Sequence, residues 1–124
     1  MRLSDFSDGY YGYCATIDDE ETGKEVILSQ CFKEGTKGVG DAMRKMVDQM
    51  NDIPTIMIRW SMLLQGIELE QKGIRLTNKT SDSSAIVKKE FGLRNVSKRK
   101  THIAFSTLIQ LALMLKDEGE NHVR

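Results

Sequence analysis

The chain has 124 residues, 40% hydrophobic and 29% charged, with a single proline and a formal net charge of zero. That length suits one domain, 1–124, with a real core and leaves no room for two ordinary ones; the composition excludes wholesale disorder. No apolar run approaches the roughly eighteen residues of a membrane span, and Met1–Asp5 opens no apolar leader, so the expectation is a soluble cytoplasmic protein with no membrane partner and with Cys14 and Cys31 reduced.

Tyr10–Ile17 and Lys24–Phe32 are rich in aromatic and β-branched residues around the polar segment Asp18-Asp19-Glu20-Glu21-Thr22-Gly23, a pattern that predicts a β-hairpin. In that register Cys14 and Cys31 do not face each other. The glycine-rich segment Gly35–Gly40 then breaks the pattern. Val39, Ala42, Met43, Met46, Val47 and Met50 recur at helical spacing and predict a helix over 39–50.

Asp52-Ile53-Pro54 reads as an N-cap followed by a first-turn proline, and Ile56, Trp60, Leu63, Leu64 and Ile67 share one helical face, so a helix is expected over 54–66. A strand competes there, because Ile56, Ile58, Trp60 and Met62 also alternate. Ile67-Glu68-Leu69-Glu70 and Ile74-Arg75-Leu76-Thr77 alternate about Gln71-Lys72-Gly73, which predicts a second hairpin at 67–77 with Glu68 opposite Arg75. Its rival extends the helix to Lys72 and stops it at Gly73.

Thr80–Ser83 offers N-caps, Ile86, Val87 and Phe91 share a face, and Gly92-Leu93 suits a helix stop, so a helix of two to three turns is expected. A basic link ending in Lys98-Arg99-Lys100 leads to Ile103–Leu115, which is apolar nearly all round and belongs at the centre of the core or at a subunit interface. Residues 118–124 read as a frayed tail. The fold class expected from these elements is α+β: a single domain in which the N-terminal hairpin packs on three to four helices.

The neutral total hides an asymmetry. Residues 1–52 hold 6 Lys/Arg against 11 Asp/Glu, residues 53–124 hold 12 against 7, and residues 72–100 hold 9 against 2. The basic helix-link-helix of 72–102 therefore points to a small nucleic-acid-binding or regulatory protein, with Lys88, Lys89, Arg94, Lys98, Arg99 and Lys100 on the phosphates of DNA or RNA. Lysines at a helix N-terminus oppose the macrodipole, and a bound anion would offset that repulsion. A solvated basic face is the plainer alternative. The second reading is a non-enzymatic interaction module, an adaptor or inhibitor with a protein partner or a self-associating homo-oligomer joined through acidic and basic halves.

Other chemistry is less well marked. Gly35–Gly40 lacks the Gly-Lys-Ser/Thr ending of a P-loop and the spacing of a dinucleotide motif, which favours a flexible connection over a phosphate cradle. His102 and His122 show no ligand spacing with the cysteines, the loop at 18–21 lacks the glycine and distal glutamate of an EF-hand, and no nucleophile, base and orienting group stand together. No metal, cofactor or enzymatic activity is expected. Tyr10, Tyr11 and Tyr13 fit a core or an interface equally, and the methionines fit core filling.

Overall fold

A computed structural model describes residues 16–18, 25–73 and 82–122. Tyr10, Tyr11, Tyr13 and Cys14, the loop after Asp18, residues 74–81 with Arg75, and residues 123–124 lie outside the described residues.

The α+β expectation is overturned, because the protein is mainly helical. Four helices carry the core: α1 (Thr36–Asp48), α2 (Ile53–Gln71), α3 (Ser83–Phe91) and α4 (Lys98–His122). Strand structure among the described residues is confined to β1 (Thr16–Asp18) and β2 (Glu25–Ile27), three residues each and antiparallel, plus an isolated bridge between Phe32 and Leu93. The second expected strand gives way at Leu28 to one turn of 3-10 helix, Leu28–Cys31. The reason lies in the burial pattern. Leu28 and Ser29 are both buried, as are Cys31 and Phe32, and a strand sends neighbouring side chains to opposite faces.

The hairpin expected at 67–77 is also replaced, since α2 continues to Gln71 and stops at Gly73, where φ is +78°. Helical spacing wins because Trp60, Ile67 and Glu70 must share an inner face, all of them buried. Glu70 also has a specific task there. Its carboxylate accepts from the Ser84 backbone N–H at 3.3 Å and the Ser84 hydroxyl at 2.6 Å, so an anion from α2 sits on the positive end of α3. Glu68 meets His102 of α4 at 3.6 Å. Asp52 opens α2 as an N-cap, accepting from the Thr55 N–H at 3.4 Å and its hydroxyl at 2.8 Å.

α1 begins three residues before its apolar stripe, so Gly38 and Gly40 lie inside the helix and no glycine loop forms there. Gly38 is required by packing: a Cβ at this position would stand 2.9 Å from Phe32 Cβ. Met43, Met46 and Met50 are buried, which places them in the core.

α4 is central as its composition implies, packing against α1, α2 and α3. It buries Ala104, Phe105, Leu108, Leu111 and Ala112, and Phe105 meets Phe91 of α3 at a centroid separation of 5.5 Å. It is longer than expected at both ends, taking in Lys98-Arg99-Lys100 from the end of the basic link and the backbone of the expected tail as far as His122. No helix of the described residues is long and apolar enough to cross a membrane.

Candidate functional site

The basic segment is held in place by the end of α3. Gly92 adopts φ +75° and the Leu93 N–H returns to the Lys88 carbonyl at 3.0 Å, which closes α3 and turns Leu93 into the core. Glu90 ties three helices together: its carboxylate meets Arg59 of α2 at 2.8 Å, and its carbonyl accepts from Lys45 Nζ of α1 at 2.8 Å. The Lys45 ammonium also lies 5.8 Å from the centroid of the Phe91 ring.

Beyond Gly92 the chain pairs with residues 31–33. The Lys33 N–H donates to the Gly92 carbonyl at 3.3 Å and the Arg94 N–H to the Cys31 carbonyl at 2.8 Å, bracketing the Phe32–Leu93 bridge. The Arg94 guanidinium donates to the Gln30 carbonyl at 3.3 Å. Ser97 then starts α4: its hydroxyl oxygen accepts the Lys100 N–H at 3.1 Å, and its carbonyl accepts the Thr101 N–H at 2.9 Å. Lys98, Arg99 and Lys100 are thus the first three residues of α4, whose first turn holds no acid.

This geometry brings some of the six expected cations together and separates others. Arg94 and Lys100 each act on Cys31, drawing its thiol downward; burial is the larger effect and holds that thiol above its ordinary value. Lys98 is exposed and Arg99 half-buried, and steps of about 100° per residue fan the three cations around the helix end. Lys88 and Lys89 diverge for the same reason. Lys88 is half-buried, whereas Lys89 is exposed and lines a groove with Lys33 and Lys45. Those two lysines come from elements far away in the chain and carry no local signal of their association with Lys89.

A second surface feature lies on α2. Ile58 and Met62, one helical turn apart, are each 64% exposed, and their exposed neighbours Pro54, Thr55, Ser61 and Gln65 are uncharged. Arg59, the single charge between Ile53 and Ile67, is paired with Glu90. In a chain so rich in charge, an outward face whose one charge over three turns is paired stands apart.

No three His, Cys, Asp or Glu side chains among the described residues come together to hold a metal. No protein-family model, curated protein or solved structure matches the chain, and a functional reading therefore rests on these surfaces alone.

Proposed function

We propose that the protein binds nucleic acid through the α3–α4 connection, with phosphates seated on Arg94, Lys98, Arg99 and Lys100 and the flanking lysines of α3 at the margin. The observation that carries this reading is the first turn of α4. Three consecutive cations occupy the positive end of the longest helix with no acid among them, an arrangement that repels itself and is offset by an anion. Arg94, in the segment that leads into α4, adds a fourth positive charge. Contacts of this kind favour phosphates over base edges, so binding is expected to be tolerant of sequence and sensitive to salt. Fluorescence anisotropy of labelled duplex and single-stranded oligonucleotides tests it. The native protein should bind at low salt, and replacing Lys98, Arg99 and Lys100 with Gln should lower the salt slope by about one for each phosphate contact removed. Absence of binding at low salt refutes the proposal.

The outer face of α2 favours a second reading, a protein-interaction module. Interface centres are depleted in charge and rich in apolar and Met side chains, which describes the surface around Ile58 and Met62. Sedimentation of the native protein and of the Ile58→Lys, Met62→Lys variant tests the self-associating form. A native protein that stays monomeric at every concentration rules that form out.

A further inference from the structure

The groove between α1 and the C-terminal end of α3 encloses about 350 Å³, within the range of small-molecule sites. Its floor is formed by Gly38, Ala42 and Phe91, all buried. Lys33, Lys45 and Lys89 line the walls, and so do Glu34, Asp41 and Glu90.

By residue type these charges cancel, but the acids are not equally available. The Glu90 carboxylate is turned to Arg59 at 2.8 Å, and Glu34 is shared with Lys37 at 4.0 Å. Asp41 remains the acid set against three lysines, a local balance of about +2. Lys45 is the fixed point. Its ammonium is held by the Glu90 carbonyl and the Phe91 ring, and an ammonium with one N–H committed has two left to donate.

We infer that this groove binds a small phosphomonoester, no larger than a mononucleotide, with the phosphate on Lys45 and the exposed Lys33 and Lys89. A phosphate carries about −1.5 to −2 at neutral pH and several acceptor oxygens, which matches the charge and the donors; a carboxylate leaves one cation unmatched. The small apolar body rests on the floor. Lys89 also stands at the margin of the proposed α4 interface, but Lys33, Asp41 and Lys45 belong to this groove and Lys98 to α4, so the two are separately testable.

The experiment is a titration of the 15N-labelled protein with adenosine monophosphate and, separately, adenosine. Saturable shifts of the Gly38, Phe91 and Gly92 amides are expected with the monophosphate, at a Kd of about 1 mM or tighter, and none with adenosine. Lys33→Gln should weaken binding about two- to fivefold, the scale of an exposed charge contact, and Asp41→Asn should strengthen it by a similar factor. A gain of affinity cannot come from a damaged fold. Equal shifts with adenosine, no saturation below about 10 mM, or an Asp41→Asn variant with unchanged affinity overturns the inference. Lys98→Gln, which bears on the nucleic-acid interface alone, should leave the groove affinity unchanged; an equal loss there places the phosphate on α4 and overturns it as well.

Discussion

Reversing the charge at the start of α4 should stabilise the protein while destroying the proposed interface. In the Lys98→Glu, Lys100→Glu variant two exposed cations at the positive end of the helix become anions. Each cation opposes the macrodipole and each anion complements it by about 0.3–1 kcal/mol, so each replacement is worth roughly twice that. Solvent exposure and the remaining Arg99 favour the low end, giving about 1–2 kcal/mol for the pair. Lys100→Glu also completes a capping box, since the third residue after Ser97 can then reach back to the Ser97 N–H. For a domain of this size such a gain raises Tm by about 3–8 °C. Thermal unfolding at low salt, repeated at about 1 M salt where the Debye length shrinks to ~3 Å, measures it, and the same preparation is assayed for oligonucleotide binding. A lower Tm at low salt, or a gain that high salt leaves untouched, refutes the electrostatic reasoning. Retained salt-sensitive binding by the stabilised variant refutes the interface.

Three further outcomes test the packing. Glu70→Gln places an amide N–H₂ where the carboxylate accepts from the Ser84 N–H and hydroxyl, and should cost about 1–3 kcal/mol in urea unfolding; the cost should shrink in a Ser84→Ala background, and purely additive losses would show that the two groups do not act together. Gly66→Ala has two opposed effects: helix propensity alone would stabilise α2 by about 1 kcal/mol, but the new Cβ would stand within 2.8 Å of Ser83 Cβ and overlap the Ser83 hydroxyl. Overpacking against a neighbouring helix costs about 1–3 kcal/mol, so the net sign should be destabilising, and a stabilised variant would show that α3 can move aside. Burial, partly offset by Lys100 and Arg94, raises the folded-state pKa of Cys31 above 9.0. The folded protein therefore binds this proton more tightly than the unfolded chain does. Its contribution to stability is complete below about pH 9 and is lost as pH rises further, and Cys31→Ala should remove that part of the alkaline decline; an unchanged pH profile would contradict the assignment.

Local patterns disclosed most of the helical frame. The stripe from Val39 to Met50, the Asp52-Ile53-Pro54 start and the Gly92-Leu93 stop are each written in a few adjacent residues, because caps and apolar spacing act within one or two turns. The fold class is ambiguous in sequence where short apolar segments satisfy two periods at once. Ile67-Glu68-Leu69-Glu70 alternates like a strand, yet its decisive partner is Ser84, brought to Glu70 by a separate helix. A buried carboxylate is unintelligible from its own segment and ordinary once a helix N-terminus lies beside it. Leu28–Phe32 failed as a strand for a related reason: two pairs of adjacent buried residues satisfy neither alternation nor a continuous helix, and the 3-10 turn resolves them.

The candidate site divides in the same way. Lys98, Arg99 and Lys100 were visible as a charge run, but the run reads as a link until Ser97 is seen to cap a helix through the Lys100 N–H. That shift of boundary changes the physics, since a cation in a loop is merely solvated whereas the same cation in the first turn works against the helix that carries it. The partners of Lys89 were not visible at all. Lys33 and Lys45 reach it through the Phe32–Leu93 bridge and the Glu90 carbonyl, contacts that depend on three-dimensional closure. Charge counted along the chain does not disclose this grouping: the groove draws its lysines from both the acidic and the basic half. If the halves were complementary surfaces for self-association, these lysines would be expected on one side of the division. Their convergence across it means that the division along the chain is not a division of the surface at this groove, and Asp41→Asn and Lys98→Glu probe the two proposed sites independently.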